Sequence, residues 1–138
     1  MTVIVTDAGF TDDTWSGVFI SADELAANLA GPISLDLPSD AAPEPLLGKL
    51  DNVAMIRIDF PGFSDGRGFT IARRLRLMGF QGHLRARGHV IADQYAMARR
   101  AGFDDIEIDD TLAARQPQEQ WLARANWRSH DYQSRLRG

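Results

Sequence analysis

The spacing of apolar positions changes along this chain, and the changes mark alternating strands and helices. Ile33 to Leu37, Val53 to Phe60, His83 to Arg87 and Asp105 to Asp109 read as strands. Between them the period lengthens. Asp65 is placed to cap a helix whose apolar positions Phe69, Ala72, Leu75 and Met78 recur every three or four residues and which stops at Gly79. Val90 to Ala101 forms the next helix. Ser21 and Glu24 make a capping box that predicts a helix from Ala22 to Ala30, ended by Gly31-Pro32. A proline-rich loop, Pro38 to Pro45, precedes a short helix around Leu46 to Leu50, and a last helix is expected over Gln118 to Ala125. Met78-Gly79-Phe80 and Ala101-Gly102-Phe103 each lead into a strand. Repeated βα units imply parallel pairing with right-handed crossovers. The expectation is one α/β domain over residues 1–138, with a short parallel sheet, half-barrel-like or open three-layer, and a polar tail from about residue 127.

The strands do not read as the continuous apolar runs of a sheet covered by helices on both faces. Ile56 and Ile58 alternate with Arg57 and Asp59, and Leu84 and Ala86 with His83, Arg85 and Arg87. Ile106 and Ile108 alternate with Asp105, Glu107 and Asp109, and Leu35 and Leu37 flank Asp36. One sheet face is therefore apolar and takes the helices; the other is ionic. Two readings of the ionic face are open: a salt-bridge network that satisfies itself, or an arginine-lined pocket for an anion.

Ligands of parallel α/β sheets bind beyond the carboxyl ends of the strands, here the loops Phe60 to Gly68, Gly88 to Val90 and Asp109 to Thr111. Arg67, between Gly66 and Gly68, is a candidate anion ligand with Asp65, against the reading that Asp65 and the glycines only cap and turn. Arg85, Arg87, Asp59 and Gln94 complete the candidate binding set. His89, beside Gly88, is a candidate acid or base, and Asp93 a second catalytic candidate or simply a helix-dipole partner. Gly62-Phe63-Ser64-Asp65-Gly66 matches a nucleophile elbow with Asp109 and His130 following, but Pro61 and Gly62 separate Ser64 from the strand end. There is no P-loop and no dinucleotide fingerprint.

Composition narrows the chemistry. The 138 residues include no cysteine, which excludes disulfides and thiolate chemistry by this chain, and His83, His89 and His130 lack the paired spacing of a zinc site. No metal is expected, and no cofactor is identified. Residues 1–66 carry eleven acids against Lys49 and Arg57, whereas residues 67–138 carry thirteen arginines against eight acids. Those arginines are interrupted by Asp93, Asp104, Asp105, Glu107, Asp109 and Asp110, so a nucleic-acid partner is not expected. No apolar run approaches the roughly 18 residues that span a bilayer, and Met1 to Asp7 lack a signal peptide's basic start. A cytoplasmic protein without a membrane partner is expected.

The segment Ile58-Asp59-Phe60-Pro61-Gly62-Phe63-Ser64-Asp65-Gly66-Arg67-Gly68-Phe69, with Leu84-Arg85-Ala86 and Asp93-Gln94 further on, resembles the bacterial domain of unknown function 934 family. The likeness is clearest over residues 53–110. It departs from the family pattern at His83 and Ala101, where relatives often carry glutamate and cysteine. The resemblance implies assimilatory sulfur metabolism, in which such proteins are described as oxidoreductases encoded beside sulfite reductase. No redox centre is visible in these residues. The expected roles are an accessory to sulfite reductase or its electron donor, a small anion-binding enzyme, or a homo-oligomeric module whose ionic face completes a barrel.

Overall fold

A computed structural model describes residues 2–25 and 30–128. The strands are β1 (Thr2–Thr6), β2 (Gly9–Thr11), β3 (Phe19–Ser21), β4 (Ile33–Leu37), β5 (Val53–Phe60), β6 (His83–Gly88) and β7 (Asp105–Asp109). The helices are α1 (Arg67–Leu77), α2 (Tyr95–Ala101), α3 (Asp110–Arg115) and α4 (Gln118–Leu122). All strands share one open sheet in the order β2-β1-β7-β6-β5-β4-β3. β3 to β7 run parallel, and β1 and β2 extend the sheet antiparallel beyond β7. The α/β class holds, but the sheet is mixed rather than purely parallel. Its added strands come from the β-branched run Thr2-Val3-Ile4-Val5-Thr6 and a two-residue turn at Asp7-Ala8.

The helical elements are shorter than the periodicity predicts. The Ser21–Glu24 capping box forms, with the Ser21 N–H donating to Glu24 Oε1 at 3.1 Å. It opens only a 3₁₀ turn, Ala22–Glu24, because Leu25 turns extended and buries its side chain in the core. The rest of that predicted helix falls on residues 26–29, outside the described residues. A 3₁₀ turn at Glu44–Leu46 replaces the helix expected around Leu46 to Leu50. Val90 and Ile91 precede helix rather than begin it: Val90 is fully buried, Ile91 is extended, and a 3₁₀ turn over Ala92–Gln94 leads into α2. α1 starts one residue after Gly66, and the Asp65 carboxylate accepts from the Arg67 N–H at 3.2 Å. The last predicted helix is α4, ending at Leu122.

Register enforces the two faces. Ile56 pairs with Leu84, and Ile58 with Ala86, which pairs in turn with Ile106. These side chains share one core with Ile71, Ala72 and Leu75 of α1, Tyr95 and Ala98 of α2, Leu112 of α3 and Trp121 of α4. On the opposite face Arg57 lies beside Arg85, Arg85 beside Asp105, and Arg87 beside Glu107. No described helix covers that face. The segment between β2 and β3, residues 12–18, crosses it instead, since those strands are the two edges of the sheet. Six strand spacings separate the edges by about 29 Å. Eight Cα steps from Thr11 to Phe19 reach about 26–29 Å, so this strap is close to full extension.

Candidate functional site

Beneath the strap the ionic side chains pair closely. Arg57 grips Asp36 through Nε to Oδ1 at 2.7 Å and Nη2 to Oδ2 at 2.8 Å, and its Nη1 reaches across β6 to Glu107 Oε1 at 3.1 Å. Phe19 stacks on Arg57, with the guanidinium carbon 3.7 Å from the ring centre. Arg85 forms a second fork onto Asp105, at 3.0 and 3.2 Å, and donates to Asp13 of the strap at 3.1 Å. Trp15 of the strap donates to Ser34 Oγ at 2.8 Å and packs on His83, ring centres 6.0 Å apart. His83 Nε2 lies 2.9 Å from Asp105 Oδ2, close enough for an ion pair though off the angle of a hydrogen bond.

Burial and charge act against each other here. Burial disfavours the Asp105 carboxylate, but the close contact and charge of His83 and the hydrogen bonds and charge of Arg85 outweigh it and hold its pKa below the ordinary value. Burial likewise works against the Arg85 and Arg57 cations, and their carboxylate partners more than restore them. Asp13, Asp36, Asp105 and Glu107 face Arg57, Arg85, Arg87 and His83. The group has no net positive charge to offer an anion, and Arg85 is only 4% exposed. At this centre the arginines are engaged by carboxylates.

The carboxyl ends of β6 and β7 differ. A cleft of about 290 Å³ opens there between the β5–α1 loop and α3, and Phe63, Arg87, His89, Asp109, Thr111 and Arg115 are among its lining residues. That volume lies at the lower end of the roughly 300–1,000 Å³ of small-molecule sites. The Arg87 side chain is 48% exposed, and its recorded ion pair is a loose 3.7 Å contact from Nε to Glu107 Oε2. Glu107 is already held by Arg57. The Arg115 side chain makes no hydrogen bond or ion pair to another described residue. Asp109 Oδ1 accepts from the Leu112 N–H at 2.8 Å and so caps α3. His89 donates its backbone N–H to the Phe60 carbonyl at 2.9 Å and holds the same oxygen with Nδ1 at 3.2 Å. Phe63 meets its ring edge-on at 4.9 Å.

The sequence candidates thus separate. Arg87 and His89 reach the cleft. Asp59 lies beside Arg87 in register, and its side chain makes no hydrogen bond or ion pair to a described residue. Arg85 sits in the buried network. Arg67 forks onto Asp65 at 2.9 and 2.8 Å and donates to Ser39 at 2.9 Å, and it is not among the cleft-lining residues. Hydrogen bonding from Arg67 pulls the Asp65 carboxyl well below its usual range. Gln94 is a brace, its Oε1 accepting from the Ile91 N–H and its Nε2 donating to the Phe63 carbonyl. Asp93 pairs with Arg124 at 2.8 Å on the surface. Ser64 lies in an exposed turn, and His130 is outside the described residues. Sequence reasoning missed Arg115, because the six-residue α3 is too short to display a period. Its signal was Asp109 as an N-cap with an arginine six residues beyond, in the last turn of the short helix. It also missed Asp13, Trp15 and Phe19, which lie in or beside a segment with no periodicity.

No group of histidine and acidic side chains among the described residues is arranged to hold a metal ion. No described helix is long and apolar enough to cross a membrane. Comparison with curated proteins and with solved structures returned no match. A family model described as bacterial protein of unknown function (DUF934) matches residues 34–138, from β4 through every element of the cleft except β1, and the chain belongs to that family.

Proposed function

We propose that this protein serves assimilatory sulfite reduction as an accessory to the reductase or its electron supply, and that its cleft binds a small oxyanion-bearing molecule of that chemistry. The pathway assignment is supported by what the family resemblance implies. The ligand assignment is carried by one observation: Arg87 and Arg115 line a cleft at the carboxyl ends of the parallel strands without close carboxylate partners of their own among the described residues. Arginine presents a planar fork matched to such oxygens. With no cysteine in the chain, electrons would pass through a partner or a bound cofactor rather than through thiols.

Two measurements test the two parts. Calorimetry with sulfite, sulfate and phosphate is expected to show binding to the native protein that Arg87→Ala weakens at least about tenfold, the loss of one charge-assisted contact. Equal titration of both proteins would reject the cleft. Immobilised protein is expected to retain sulfite reductase or its electron donor, and normal growth on sulfate after deletion of the gene, with neither retained, would reject the pathway.

A further inference from the structure

His89 is tied to the cleft wall in a way that fixes its chemistry. The Phe60 carbonyl oxygen can only accept, so the contact from Nδ1 at 3.2 Å requires the proton on Nδ1. The same oxygen takes the His89 backbone N–H, and the edge-on Phe63 ring limits how far the imidazole can turn. Nε2, on the other side of the ring, makes no hydrogen bond to a described residue. In the neutral ring that nitrogen carries a lone pair and repels an oxyanion. Once protonated it becomes a cationic donor within the same cleft as Arg87 and Arg115.

We propose that an oxyanion enters this cleft together with a proton, taken up at His89 Nε2. The inference rests on the reading of the cleft as an anion site and adds its regulation by pH. Histidine is the side chain that changes charge between pH 5 and 8, so occupancy would respond to small changes in acidity. Charged groups of both signs line or adjoin the cleft: Glu107 and Asp109 on β7 and Asp59 on β5 are acidic, and Arg87 on β6 and Arg115 on α3 are basic.

The probe is sulfate, which keeps its charge across the range, titrated calorimetrically at about pH 6 and pH 8 in the cationic buffers bis-Tris, imidazole and Tris. The expected result is net uptake of up to one proton per sulfate and roughly tenfold weaker binding at the higher pH. In His89→Gln the weaker binding that remains should be the same at both pH values. Nitrogen-15 spectra of the native imidazoles, assigned with His83→Gln and His130→Gln, should show the Nδ1–H tautomer for free, neutral His89. Binding of equal strength at both pH values with no proton uptake, or an Nε2–H tautomer, would overturn the proton coupling and leave the anion site standing. No sulfate binding at either pH, with sulfite and phosphate equally inert, would remove both.

Discussion

At the scale of single residues, the cleft depends on one glycine. Gly88 has φ of +113°, and a Cβ there would stand 2.7 Å from the Phe60 carbonyl oxygen that positions His89. Gly79, at φ of +98°, ends α1 with nothing within 4 Å of the same point. Both substitutions to alanine incur left-handed strain of roughly 1–2 kcal/mol, but only Gly88→Ala adds a backbone collision. Urea unfolding is expected to place Gly88→Ala about 1 kcal/mol or more below Gly79→Ala. Equal losses would show that the β6 end relaxes without cost. Arg87 and His89 were legible as candidates because a strand end beside a glycine is where ligands meet parallel sheets. Which arginine stays accessible was not legible, because it depends on strand neighbours. Arg85 and Arg87 are both polar-face residues of β6, and only pairing with β7 sets Asp105 against the first and a shared Glu107 against the second.

Among the elements, the strap carries the sharpest prediction. Residues 12–18 cross from one edge of the sheet to the other close to full stretch, anchored by Asp13 on Arg85 and Trp15 on Ser34. Deleting Ser16 should pull one anchor from its partner and leave a polar group on the covered face without it, at a cost of roughly 1–3 kcal/mol. Inserting one glycine at the same place should cost under about 1 kcal/mol, since a slightly longer surface connection is cheap. Thermal melts followed by tryptophan fluorescence would compare the two, and tolerance of the deletion would show that the strap has slack. The alternation of β4 to β7 was legible because a period of two leaves the polar set no other face. The strap was not, since it is held by three long-range contacts rather than by any repeat, and its cover makes the ionic face an interior. That contact pattern also explains why Arg57, with partners on β4 and β7, attracted no notice as the hub of the network.

For the molecule as a whole, the buried network links stability to acidity. The Asp105 carboxyl is held below its ordinary 3.8, so the folded state releases that proton more readily than the unfolded chain. Its contribution is therefore complete above about pH 4 and is lost as pH falls through the lower folded value. Urea midpoints of the native protein should drop between about pH 5 and pH 3. Asp105→Asn should be less stable at the upper pH and show a smaller drop. An unchanged slope would move the acid sensitivity to other carboxylates.

The pairing of β1 with β7 sets an order for synthesis. β1 can pair with β2 at once through the Asp7-Ala8 turn, but its other edge, Thr2 to Val5, finds its partners only in residues 106–109, roughly a hundred positions later in the chain. On a ribosome, this β-branched strand must therefore wait with one edge open until the last strand has cleared the exit tunnel. A nascent chain stalled before Asp105 would expose that segment to chaperones, and one released beyond it would not.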